Sequence, residues 1–178
     1  MKIHETLKRG FFCAAGASVF LFATACNGND VPSGNVDIWS TYNTTKIMRE
    51  KYDYVKRDAS IDVEMAKNEV EGAQIVFTPE YDVKSYDLVL SDLHCGDAVF
   101  PKENIVAYKQ GYVNVTSKTP NQQNAAYPTG WTADFMLPLE KAKEYGETTV
   151  SKGHNQGITV EFSSVTDMPA GVYTGSFT

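Results

Sequence analysis

From Ser60 onward, apolar and polar positions alternate in short runs. Ile61, Val63 and Met65 alternate with Asp62 and Glu64, which predicts a half-buried strand, because successive strand side chains face opposite sides of a sheet. Ala73 to Thr78 is rich in β-forming residues on both faces and stops at Pro79, as a more central strand would. Tyr86, Leu88 and Leu90 alternate with Asp87 and Ser91, and Ile158, Val160 and Phe162 alternate with Thr159, Glu161 and Ser163. Ile105 to Val115 carries β-branched and aromatic residues around Gly111, so a bulge or turn is expected there. Val172 to Thr178 predicts a last strand entered through Pro169-Ala170-Gly171. That tripeptide suits a type I turn with glycine in the left-handed position, a common hairpin loop.

Helix signals are few. Pro138 to Tyr145 predicts one short helix, with proline at its start, Lys141 and Lys143 near its end and Gly146 after it, an order that matches helix-end preferences. Thr45 to Tyr54 fits a turn of helix or an edge strand equally well. Short strands joined by Gly- and Pro-rich connections define the expected fold class: all-β, an antiparallel β-sandwich with one short helix. The sandwich is expected over residues 37–178. Because Thr178 falls inside an expected strand, it is read as stopping short at its C-terminus.

The first residues follow a different pattern. Met1 to Arg9 carries Lys2, Lys8 and Arg9, and Phe11 to Ala25 is uncharged and mainly apolar. This is the layout of an export signal, and the run is shorter than the ~20 apolar residues of a spanning helix. Ala23-Thr24-Ala25 before Cys26 resembles a bacterial lipobox, with Ala23 where leucine is usual; an A-x-A cleavage site followed by an incidental cysteine is the plainer alternative. Residues 1–25 are therefore read as a lipoprotein signal peptide, Cys26 as the lipidated residue and residues 26–36 as a flexible tether. The expected location is outside the cell membrane or in the periplasm, held by a lipid anchor.

Composition adds exclusions. The chain has 178 residues and a net charge of −6; loss of Lys2, Lys8, Arg9 and Glu5 with the signal makes it more negative. That balance argues against a nucleic-acid partner, whose affinity rests on Lys and Arg. Of the three cysteines, Cys13 leaves with the signal and Cys26 is acylated, so Cys95 stands alone and reads as a buried or loop thiol. Adjacent His94 would face the other side of a strand.

Catalytic signatures are sparse. No two carboxylates are adjacent, and phosphate-cradling glycine loops and Gly-x-Ser-x-Gly do not occur. His94 and His154 have no metal-ligand neighbours at suitable spacing. No cofactor, metal or catalytic residue is expected from these patterns. Tyr108, Tyr112, Tyr127 and Trp131 fall in or near loop-like sequence, where flat rings could stack on sugars; the competing reading places such rings in the core. Tyr127 and Trp131 are the candidate glycan contacts. Asn121 to Ala126 reads as a solvated loop.

Four segments in order resemble a known module: Asn68-Glu69-Val70-Glu71-Gly72-Ala73-Gln74, Tyr127-Pro128-Thr129-Gly130-Trp131, Phe135-Met136-Leu137-Pro138-Leu139, and Asn155-Gln156 with Pro169-Ala170-Gly171-Val172-Tyr173-Thr174-Gly175. Together they resemble the N-terminal β-sandwich domain of glycoside hydrolase family 123 and related bacterial proteins. Thr129 departs from that pattern, in which an aspartate often follows Tyr-Pro. The resemblance implies a retaining β-N-acetylgalactosaminidase-like parent, whose catalytic barrel and Asp-Glu pair lie downstream of the sandwich. This chain would then be a non-catalytic module whose partners are that barrel, the membrane through the anchor, and glycans. The alternative is a stand-alone glycan-binding or adhesion lipoprotein. A small enzyme with carboxylates gathered by the fold is the third reading.

Overall fold

A computed structural model describes residues 2–6, 34–50, 52–119 and 127–178. The strands are β1 (Lys2–Thr6), β2 (Val36–Tyr42), β3 (Ser60–Glu64), β4 (Val70–Pro79), β5 (Leu93–Cys95), β6 (Ala98–Phe100), β7 (Ile105–Val115), β8 (Gly130–Pro138), β9 (Gln156–Ser163) and β10 (Val172–Gly175), with a 3-10 turn at Lys102–Asn104 and, among the described residues, one α-helix, α1 (Leu139–Glu144). They form two five-stranded sheets, ordered β3-β1-β10-β5-β6 and β2-β4-β9-β7-β8. Every pair of neighbouring strands is antiparallel except β1 with β10. The all-β sandwich expected from the alternation is thus the observed fold.

The core lies between the sheets. Ile61 and Val63 of β3, Ile75 and Phe77 of β4, Ile158, Val160 and Phe162 of β9, and Tyr173 of β10 all point into it. Its aromatic centre is edge-on: the Phe100 ring meets Phe162 at 6.4 Å and Tyr173 at 6.2 Å, a geometry that sets the positive ring edge against a negative face. β4 and β9 pair over eight residues, Val70↔Ser163 to Phe77↔Gln156, and β7 bulges between Gly111 and Tyr112. At Gly111 a Cβ would stand 2.0 Å from the Phe135 ring, so the bulge glycine makes room for a side chain of the neighbouring strand.

Some local expectations need correction. Tyr86 to Leu90 is not a strand: Leu88 is buried as the alternation implies, but only Val89 makes a backbone pair, with Thr178. Pro169-Ala170-Gly171 is not a hairpin loop, because it carries the chain from β9 in one sheet to β10 in the other. Gly171 is not among the left-handed glycines. What it provides is space, since a Cβ there would meet Cys95 Sγ at 2.5 Å. Thr45 to Tyr54 is neither helix nor edge strand; it is an irregular segment tied to β8 by the Met48↔Thr132 bridge. Trp131 belongs to β8 rather than to a loop. Gly146 does follow α1 with φ 70°, as its C-cap role requires. β2 begins at Val36, the last residue that the sequence assigns to the expected tether. Cys26, the apolar run Phe11 to Ala25 and Asn121 to Ala126 lie outside the described residues.

Candidate functional site

The middle of the second sheet is covered on both faces. Its inner face packs on the core, while residues 43–50 and 52–58 run along its outer side. Under that segment Trp39, Ile47 and Val76 form a second, smaller apolar cluster, joined by Tyr54, Tyr112 and Ala133. Because the segment is irregular, its backbone groups need partners from elsewhere, and buried side chains of the sheet supply them. Gln74 Nε2 donates to the Tyr42 and Thr45 carbonyls at 2.7 and 2.9 Å. Asn155 Nδ2 donates to the Met48 and Glu50 carbonyls at 2.9 and 3.1 Å, and its backbone N–H donates to the Arg49 carbonyl. The Asn155 side-chain oxygen accepts from Thr78 Oγ1, and its carbonyl accepts from Tyr112 Oη.

So anchored, the segment presents a row of rings. Tyr54 lies 5.2 Å from Trp39 and 5.0 Å from Tyr52, and Tyr52 lies 5.6 Å from Tyr127. Tyr54 Oη accepts from the Met48 N–H and donates to the Lys46 carbonyl, while the Lys46 N–H donates to Tyr127 Oη. Burial pushes the Tyr54 hydroxyl up to about 12, against the opposing Met48 hydrogen bond. Burial also raises Tyr112, whose hydroxyl is further held by the Gly157 N–H.

Trp39, Tyr52 and Tyr54 border an open cleft of about 510 Å³, completed by Asp37, Asp53, Lys56, Glu80, Lys152 and Asn155 among others. Its volume is within the range of small-molecule sites. Asp37 pairs with Lys56, and Glu80 accepts from the Asn35 N–H. Trp39 Nε1 is buried with no acceptor among the described residues. The cleft therefore combines flat apolar rings with carboxylate and ammonium groups that can bond hydroxyls. Among the described residues no group of three His, Cys, Asp or Glu side chains could hold a metal ion.

The two residues singled out from sequence sit on either side of the same segment. Tyr127 joins the ring row through Tyr52. Trp131 lies apart from it, under the Arg49 guanidinium at 4.1 Å, and its carbonyl accepts from the Arg49 N–H. Tyr112 is a half-buried support, and Tyr108 lies earlier in β7. Tyr52 and Tyr54 were not legible as contacts, although their alternation with Asp53 is a usable signal. Cys95 ends β5 as a free, half-buried thiol. No family model matches the chain, and no curated protein is significantly similar to it.

Proposed function

We propose that this chain is the non-catalytic β-sandwich module of an exported, lipid-anchored glycoside hydrolase with a β-N-acetylgalactosaminidase-like parent, and that its aromatic cleft contacts glycan. One observation carries the reading. Of the four segments that resemble the family 123 sandwich, three converge on residues 42–50 beside the cleft: Gln74 holds Tyr42 and Thr45, Asn155 holds Met48 and Glu50, and Tyr127 and Trp131 bracket Lys46 and Arg49. The resemblance thus falls on residues that hold the segment leading into the cleft, and one of them, Asn155, also lines it. Rings fixed on a rigid sheet suit sugars, whose apolar faces stack while charged neighbours take the hydroxyls.

The same cleft favours a second reading, a stand-alone glycan-binding or adhesion lipoprotein. Two measurements test both. The purified chain should leave chromogenic N-acetylgalactosaminides uncut and bind members of a glycan array, with binding weakened by Tyr52→Ala or Tyr127→Ala; turnover, or an array without hits, would contradict the proposal. A reading frame continuing into a β/α pattern with an Asp-Glu pair would select the module over the stand-alone protein. Labelling with a palmitate analogue, lost in Cys26→Ser, would establish the anchor.

A further inference from the structure

Strand β3 has one ladder partner among the described residues, β1. β1 occupies a single-strand gap, antiparallel to β3 (Lys2↔Glu64 to Thr6↔Ser60) and parallel to β10 (Lys2↔Val172 to Glu5↔Gly175). The sequence reading assigns these residues to a leader that is removed. Without β1, the backbone of β3 and one edge of β10 would lose their hydrogen bonds while Ile61, Val63 and Tyr173 stayed committed to the core. Unpaired backbone beside buried side chains is costly and is a template for strand addition.

The register states what the gap accepts. Ile3 is paired with Val63 and Tyr173, and Glu5 with Ile61 and Gly175. Cross-strand partners share one face of a sheet, and the partners at these two register positions, Val63, Tyr173 and Ile61, are at most 6% exposed. A strand seated here is therefore best matched by apolar residues at both register positions.

We propose that the gap between β3 and β10 is a strand-acceptor site, held by β1 only as a replaceable occupant. Its preferred ligand is an extended peptide segment running antiparallel to β3, with β-branched apolar residues at both register positions. Binding would follow strand addition, in which backbone bonds supply affinity and alternate side chains supply specificity. The inference rests on the export reading only for the release of β1.

Hydrogen exchange on the full chain tests it. Successive amides of a central strand point to opposite neighbours, so a His4→Pro/Glu5→Pro variant disables both edges of β1. Amides of β3 and β10 should then exchange about tenfold faster or more while β4 and β9 stay protected. The peptide Lys-Ile-His-Val-Thr, added at millimolar concentration, should restore protection, and Lys-Ile-His-Asp-Thr should not. Unchanged exchange in β3 and β10, failure of the valine peptide, or simultaneous loss of protection in β4 and β9 would each overturn the proposal; the last would make β1 integral. Failure of the export reading shows separately, as an intact mass that retains residues 1–25 in chain purified from the cell envelope.

Discussion

Asn155 and Met48, 107 positions apart, are joined by a 2.9 Å hydrogen bond from the asparagine amide to the methionine carbonyl. The same side chain bonds the Glu50 carbonyl and accepts from Thr78, so one residue just before β9 fastens the irregular segment to the sheet. Asn155→Ala leaves two carbonyls and one hydroxyl without partners. Buried groups so orphaned cost ~1–3 kcal/mol each, less where water can enter. We expect a loss of ~2–3 kcal/mol in denaturant unfolding, with faster exchange confined to residues 43–58. Loss below ~0.5 kcal/mol would show that the segment is held by its apolar cluster alone.

Two glycines should respond differently to alanine. At Gly157 a Cβ would stand 2.0 Å from Gln110 Oε1, and Gln110 is buried with its amide nitrogen donating to Gln74 and Thr159. Room there requires breaking that network. At Gly111 the obstacle is the Phe135 ring, which is half-exposed and can swing away. Gly157→Ala should therefore cost ~2–3 kcal/mol and Gly111→Ala ~1 kcal/mol or less, as read by the two melting curves.

Alkaline titration gives a third expectation. The Tyr54 hydroxyl has a folded value of about 12 against an ordinary 10.0, raised chiefly by burial, and burial raises Tyr86 and Tyr112 as well. A raised folded value means that the unfolded chain loses its proton first. The associated stability is complete below pH 10 and is lost as pH rises through about 12. Tyrosinate absorbance should show at least these three rings still protonated near pH ~11 in the folded protein. Titration of all ten tyrosines together near their ordinary value would contradict the packing described.

The sandwich was legible because burial on one sheet face writes itself as period two, seen at Ile61-Val63-Met65 and Ile158-Val160-Phe162. Alternation reports burial and not pairing, which is why Tyr86 to Leu90 reads as a strand while only Val89 bonds its neighbour. Composition could not reveal that Gly171 serves the Cys95 thiol rather than a turn. The site was half legible. Tyr127 stands out as an aromatic in loop-like sequence, but Tyr52 and Tyr54 alternate with Asp53 over too short a run to define an element, and their role comes from the segment's anchoring to the sheet. Gln74, Gln110 and Asn155 look like solvated polar residues; their burial comes from a segment far away in sequence that covers them.

The proposed glycan contact at the cleft is most directly tested by titrating N-acetylgalactosamine-containing oligosaccharides into the isotopically labelled full chain, followed by nuclear magnetic resonance. Ring and amide signals of Tyr52, Tyr54, Tyr127 and Lys152 should shift together, and Tyr52→Ala should weaken binding at least ~tenfold, equivalent to about 1.4 kcal/mol, without lowering the melting temperature. Saturating oligosaccharide that leaves those signals in place, or that moves only residues elsewhere on the sandwich, would contradict a glycan-contact role for the cleft.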